Sequence, residues 1–354
     1  MPDQAQGLRT LADQARRDIR VPAFPLAPHQ TPFLEEQPFT TVPMLADVLT
    51  PVGVRNEAVA VTQRLFDLSM PAAVSSPYAP TAVTRQARVI AVTSGKGGVG
   101  KTNFSTNLSL TMAQSGQRVV VLDADLGLAN LHVVLGVSPR YHLGHVMEGT
   151  ISVLEALHDA PGGIQIIGGG SGLAELANLE AEKCEAFIAS LSELDALADV
   201  IVIDTGAGLA RNTLAFLNAV EEIIVVTTPE PTAFTDAYST IKVASIENPN
   251  ARLMLVVNMA QSEAEGEAVA NRLSLIVRQF LGVELEHLGT IPLDSSVGRA
   301  VRLQNPLMLS QPNSEAASAI RRITSQLGYH RTTHPSQGGV NGLMQKMRGF
   351  FSRR

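Results

Sequence analysis

The stretch Val89-Ile90-Ala91-Val92-Thr93-Ser94-Gly95-Lys96-Gly97-Gly98-Val99-Gly100-Lys101-Thr102 decides how this chain is read. Val89 to Val92 is short, apolar and free of charge, the pattern of a strand buried on both faces. Gly95, Gly97, Gly98 and Gly100 then remove the β-carbons that would hold backbone N–H groups away from phosphate oxygens. The helix expected next opens with unpaired N–H donors and a positive dipole end. Gly95, Gly97 and Gly100 also satisfy the looser G-x-G-x-x-G spacing of dinucleotide loops. Lys101-Thr102 separates the two readings. A triphosphate with Mg²⁺ needs a lysine on the β/γ-phosphates and a hydroxyl on the metal, and a dinucleotide loop needs neither. The stretch therefore predicts a nucleotide-phosphate cradle over Gly95–Thr102, with Lys96 and Val99 part of the loop.

Lys96, a second lysine directly after the first glycine, is the unusual residue. With it, Lys96-Gly97-Gly98-Val99-Gly100-Lys101-Thr102 resembles the deviant P-loop of the MinD/ParA group of ATPases. In that family the extra lysine reaches the partner's nucleotide, so the resemblance implies an ATP-sandwiched homodimer.

The 354 residues are 45% hydrophobic and only 17% charged, enough apolar content for one large α/β core or two modest ones. A net charge of -6 argues against a body wrapped in nucleic acid. Cys184 stands alone, which excludes a disulfide framework, a Cys-x-x-Cys redox centre and a cysteine-ligated cluster. No charged-then-apolar leader and no apolar run of about 18 residues is present, so the protein is expected in the cytosol. His142 and His145 lie close in sequence but lack neighbouring carboxylates or cysteines, and read as ordinary surface histidines.

Outward from the glycine loop, apolar runs alternate with helical periods: Val119–Asp123, Ile164–Ile167, Val200–Asp204, Ile223–Thr227, Leu253–Asn258 and Glu284–Gly289. The alternation predicts an α/β, doubly wound and mainly parallel sheet over residues 88–328, with ligands at the carboxyl ends of its strands. Upstream, Leu8, Leu11, Ala12, Ala15 and Ile19 form one stripe of a helix within 1–20. Residues 21–87 hold half of the chain's 20 prolines and read as a linker with one helix near Glu57–Leu68. A polar, glycine-rich stretch, 329–341, leads to an amphipathic segment at 342–354.

Two further strand ends carry chemistry. Asp123 and Asp125 close the run from Val119; there, one carboxylate can hold the water shell of Mg²⁺ and the other can orient the water that attacks a γ-phosphoryl group. Ile201-Val202-Ile203-Asp204-Thr205-Gly206-Ala207-Gly208 reads as a Walker B strand entering a flexible turn. The family resemblance gives Asp125 the water-orienting role in switch I, Asp123 a supporting role, and Asp204 a water-mediated contact to the metal bound by Thr102. Asn258 and Pro292 resemble adenine-binding positions; an amide can meet the base's amino and ring nitrogens together.

The two ends narrow the family. Asp3-Gln4-Ala5-Gln6-Gly7-Leu8-Arg9 resembles the D-Q-A-x-x-L-R helix of the flagellar-number regulators of the FlhG/YlxH/FleN type. In that subfamily the helix stimulates an SRP-type GTPase, FlhF, which implies Gln4 as the stimulating residue and Leu8 and Arg9 as docking contacts. At the other end Leu343, Met347, Phe350 and Phe351 share a face, with Lys346, Arg348, Arg353 and Arg354 around them. Phenylalanine beside arginine is the composition of a helix lying in an anionic membrane surface. The alternatives are a helix packed on its own domain and a basic tail on nucleic acid, and Gly338-Gly339 just upstream argues against rigid docking.

Together these features predict an ATP- and Mg²⁺-dependent switch for flagellar number or placement. It would dimerise on ATP, pair its terminal helices on the inner face of the cell membrane, and return to the cytoplasm on hydrolysis. Flagellar switch or C-ring components are further candidate partners. The competing readings are a partitioning ATPase that uses DNA as its matrix, and a non-enzymatic adaptor or transcription anti-activator. His132 departs from the family, standing where relatives often carry an acid.

Overall fold

A computed structural model describes residues 86–125, 130–169, 181–329 and 338–352. The expected helix over residues 3–19 with Gln4, Leu8 and Arg9, the linker up to residue 85 and the expected helix near Glu57–Leu68 lie outside the described residues, as do Arg353 and Arg354.

The expected sheet is present. Its strands are β1 (Arg88–Ser94), β2 (Val119–Ala124), β3 (His158–Ala160), β4 (Ile164–Ile167), β5 (Val200–Ala207), β6 (Glu222–Thr227), β7 (Arg252–Ala260) and β8 (Glu286–Pro292). They lie in the order β3-β4-β2-β5-β1-β6-β7-β8, so the glycine-loop strand sits near the centre. All neighbours are parallel except β3, which runs antiparallel to β4 at the edge.

Period-two alternation divides the apolar residues between two layers. On one face Ile90, Val92, Val202 and Ile224 pack with Phe104 and Leu108 of α1 (Lys101–Gln114) and with Ile320 and Ile323. On the other, Ala91, Ile201, Ile203 and Val225 pack with Phe216, Ile241 and Leu273. Those side chains come from α7 (Arg211–Ala219), α8 (Pro231–Glu247) and α9 (Glu263–Leu281). Between β2 and β5 lie the short helices α2 (Leu131–Leu135), α3 (Leu143–Met147) and α4 (Val153–Ala156), then α5 (Ala181–Ser192) and α6 (Leu194–Leu197). After β8 come α10 (Ser295–Arg302), α11 (Leu307–Ser310), α12 (Glu315–Tyr329) and α13 (Gly339–Ser352). At the amino ends of the strands, Arg88, Glu222, Arg252 and Glu286 form an ion ladder across β1, β6, β7 and β8.

β5 and β7 run past their expected ends, to Ala207 and Ala260, and three further differences from the sequence reading stand out. The last strand runs Glu286–Pro292 rather than Glu284–Gly289, because Thr290 and Pro292 continue its pairing with Val257 and Ala260 of β7. Strand β3 was not expected: it has three half-exposed residues and no apolar run. Its turn does carry a signal, Pro161-Gly162-Gly163, in which both glycines have φ of 80°.

The third difference concerns the terminal helix. The sequence suggests a helix standing clear of the body from 342; instead α13 starts at Gly339 and lies against α5, α6 and α7. Val340, Leu343, Met344 and Met347 are 1–3% exposed in the same core as α7, and Phe350 packs partly against it. Each such burial contributes roughly 1.5–3 kcal/mol, so water alone offers this face no alternative. The carboxylate of Asp195 fixes the helix start by accepting the Val340 N–H at 3.0 and 3.1 Å, and accepts the Ala87 N–H at 3.0 Å. The side chain of Phe351 lies outside what is described.

Candidate nucleotide site

The glycine loop joins β1 to α1. Gly98 and Gly100 have φ of 85° and 86°, a left-handed geometry costly for other residues. A β-carbon at Gly97 or Gly98 would meet nothing within 4 Å, so that side of the loop faces open space. At Gly95 it would collide with the backbone of Asp236, and at Gly100 with the amide of Asn258. Helix α1 begins at Lys101 without a side-chain cap, leaving its dipole end available to an anion. A phosphate chain fits a loop that is open, rich in backbone N–H and uncapped.

Behind it lies a buried charge cluster. Lys101 Nζ is 3.0 Å from Asp204 Oδ1, and the Ser105 hydroxyl donates to the same oxygen at 2.9 Å. Asp123 stands opposite Asp204 in the β2–β5 register. Asp123 is 1% exposed; burial, with the Asp204 charge beside it, pushes its carboxyl up to about 7. Its oxygens accept the N–H groups of Asp125 at 3.1 Å and of Leu131 at 3.2 Å, which hold the ionised form. Asp125 sits beside the switch turn: its carboxylate lies 3.6 Å from where a β-carbon on Gly206 would stand. Thr102, in the first turn of α1, is half-buried. Thr102 and Asp204 thus stand at one end of the sheet, with oxygen donors of the kind Mg²⁺ takes, and Asp123 lies beside Asp204 with each of its oxygens accepting a backbone N–H.

Lys96 does not join this cluster. Its ammonium points along the surface, 2.8 Å from Glu230 Oε2 and 3.1 Å from the Thr232 hydroxyl at the start of α8. Asn258 and Pro292 stand at the carboxyl ends of β7 and β8, as expected. The Asn258 amide donates to the Val99 carbonyl at 2.8 Å and accepts the Met259 N–H at 2.9 Å, tying β7 to the glycine loop. Met259 has φ of 58°, a strained value at that junction. Sequence reading missed Ser105, Glu230 and Thr232. Ser105 was detectable, since it lies one helical turn beyond Lys101 on the same face.

Close to Lys96 the carboxyl edge exposes Leu209, which is 40% exposed and follows Gly208, whose N–H donates to the Ser94 carbonyl at 2.8 Å. At the β4 end of this edge, where His142 bridges Gly168 just past the strand, His142 and His145 stack with ring centroids 3.8 Å apart. Burial and the neighbouring His145 lower the His142 pKa. No group of three or more metal-binding side chains is found among the described residues, and no helix there is long and apolar enough to cross a membrane.

Known proteins share this arrangement. A family model described as CobQ/CobB/MinD/ParA nucleotide binding domain matches residues 90–307. The antiactivator FleN of Pseudomonas aeruginosa is 39% identical over 240 residues, covering 68% of this chain and 86% of that protein. The flagellum site-determining protein YlxH of Helicobacter pylori is 37% identical over 268 residues, or 75% and 89% of the two chains. The cell division ATPase MinD of Pyrococcus furiosus superposes with a TM-score of 0.57 at 26% identity, covering 69% of this chain and 99% of that one. The MinD of Pyrococcus horikoshii OT3, solved with Mg-ADP, gives 0.56 at 25% identity, covering 68% and 96%. The matched span begins inside β1 and carries the glycine loop, both acidic strand ends and Asn258, and the chain belongs to the CobQ/CobB/MinD/ParA family of nucleotide-binding domains.

Proposed function

We propose that this protein is a MinD-like ATPase switch that controls flagellar number or placement. The observation that carries the reading is the pairing of two lysines with different fates, Lys101 buried on Asp204 and Lys96 exposed at the rim. The 39% identity to an antiactivator named FleN and the 37% identity to a flagellum site-determining protein supply the flagellar part.

In this reading Lys101 leaves Asp204 for the β/γ-phosphates when ATP enters the loop, and Thr102 and Asp204 hold Mg²⁺ with its water. The metal, when bound, neutralises charge that develops on the phosphate oxygens. Asp125 orients the attacking water. The terminal P–O bond breaks, phosphate leaves and ADP remains. Asn258 and the backbone near Pro292 face the base. Lys96 exchanges Glu230 for the nucleotide of a second copy, and the exposed Leu209 nearby supports such a contact.

Membrane association follows from α13, whose apolar face fits a bilayer surface as well as it fits the body. Exposed Lys346 and Arg348 suit anionic headgroups. The helix can serve the membrane only by leaving its place against α7, and pairing in a dimer raises its effective concentration there. The N-terminal segment, through Gln4, Leu8 and Arg9, would stimulate an SRP-type GTPase.

Sedimentation of the full chain with Mg-ATP tests the core of this reading. Dimers are expected for the native protein and monomers for Lys96→Ala and Lys101→Ala; dimers that persist in both variants would overturn it. Flotation with anionic vesicles beside a duplex-DNA shift assay separates a membrane matrix from DNA.

A further inference from the structure

We propose that Asp123 is a positioning residue for hydrolysis: its carboxylate accepts the N–H groups of both Asp125 and Leu131 and so fixes where Asp125 stands. The proposal rests on the ATPase reading above.

Asp123 is the last residue but one of the wholly buried strand β2, and one oxygen accepts the N–H of Asp125, two residues on. The other accepts the N–H of Leu131, which opens α2 and is fully buried. A single side chain therefore ties Asp125, just past β2, to the first residue of α2. Leu131 is anchored in the core beside Phe104 and Leu108, so the far contact is made to a rigid point. The near contact sets the backbone of Asp125 itself, one residue from the end of the strand.

Keeping a second acid beside Asp204 inside the sheet is costly, and a buried acid persists where its hydrogen bonds are satisfied. Here they are satisfied by the loop. Shifting a water-orienting group by about 1 Å can slow a reaction about a hundredfold, so a clamp of this kind acts on turnover rather than on nucleotide affinity.

Asp123→Asn keeps the side chain's shape but offers one acceptor oxygen and turns an NH₂ donor toward the remaining N–H. In the full-length, nucleotide-free protein, amide exchange at Asp125 and Leu131 is expected to quicken about tenfold or more, with the β5 amides of Val200–Asp204 unchanged. With ATP, kcat is expected to fall about tenfold or more, while the half-saturating Mg²⁺ concentration and the affinity for a fluorescent ATP analogue stay within about twofold. Adding the substitution to Asp125→Ala should cost nothing further, because the clamp acts through Asp125. A Mg²⁺ requirement raised about tenfold with exchange at Asp125 and Leu131 unaltered would make Asp123 a metal-side ligand and overturn the proposal. General loss of protection in β5 would make it a fold residue and overturn it too. If the native protein shows no turnover, the ATPase reading fails on that result, and exchange at Asp125 and Leu131 still decides whether the clamp exists.

Discussion

Lys101 Nζ and Asp204 Oδ1 lie 3.0 Å apart, with side-chain exposures of 7% and 1%, so the phosphate-binding lysine is held inside the sheet by the carboxylate of the Walker B strand. Each group satisfies a charge that the other would otherwise leave buried and unpaired. Nucleotide entry must exchange this pair for phosphate and metal.

Removing one partner exposes that dependence. Asp204→Ala leaves the Lys101 ammonium buried without its counter-ion, and a broken buried pair costs about 3–5 kcal/mol. Chemical denaturation of the nucleotide-free variant is expected to show a loss of that order. A change below about 1 kcal/mol would mean that the pair contributes little to the empty protein.

The other lysine predicts the opposite. Lys96 and Glu230 have side chains 41% and 64% exposed, and exposed ion pairs contribute roughly 0–1 kcal/mol. Lys96→Ala should leave the denaturation midpoint nearly unchanged while abolishing ATP-dependent dimers in sedimentation. Glu230→Gln, which weakens the tether on Lys96 while leaving every residue of the phosphate loop in place, should leave stability equally unaffected.

Much of this site could be read from the sequence because its parts sit where buried parallel strands end. The runs closing at Thr93, Asp123 and Asp204 are continuous and apolar, and each passes directly into polar residues, so their chemistry and their place in the fold are legible together. Strand β3 was not legible, since His158, Asp159 and Ala160 bury no continuous face. The docking of α13 was not legible for a different reason. Leu343, Met347 and Phe350 form the same stripe whether the apolar partner is lipid or α7, and the stripe cannot tell them apart. Nor does residue type disclose hydrogen-bond commitments: Asn258 looks equally suited to a base or to the Val99 carbonyl, and here it takes the carbonyl.

Asp195 holds the start of α13 in that docked position. Its carboxylate accepts the N–H groups of Val340 and Ala87, so it joins the terminal helix to the entry of β1. Asp195→Ala removes both acceptors, and loss of a helix-start acceptor costs about 0.5–2 kcal/mol. If helix release limits membrane binding, nucleotide-free variant protein should float with anionic vesicles about two- to thirtyfold more than the native chain, the ratio corresponding to that cost. Equal flotation would show that Asp195 does not restrain the helix.

Acidification should weaken the fold partly through His287. This residue sits half-buried in β8, its Nε2 3.4 Å from the Thr290 hydroxyl. Burial lowers its pKa below the usual 6.5, against the opposing influence of the Gly289 backbone and of Glu263 and Glu267. The unfolded chain then takes up a proton at a pH where the folded chain still resists it. Below about 6.5 the unfolded state binds more protons, so stability falls as pH falls, whereas above that value His287 is neutral in both states and contributes no slope. His287→Gln removes this titration but not those of the other histidines. Urea midpoints at about pH 7.5 and about pH 5 should therefore differ less in the variant than in the native protein; an identical or larger drop would show that His287 carries no part of the acid sensitivity.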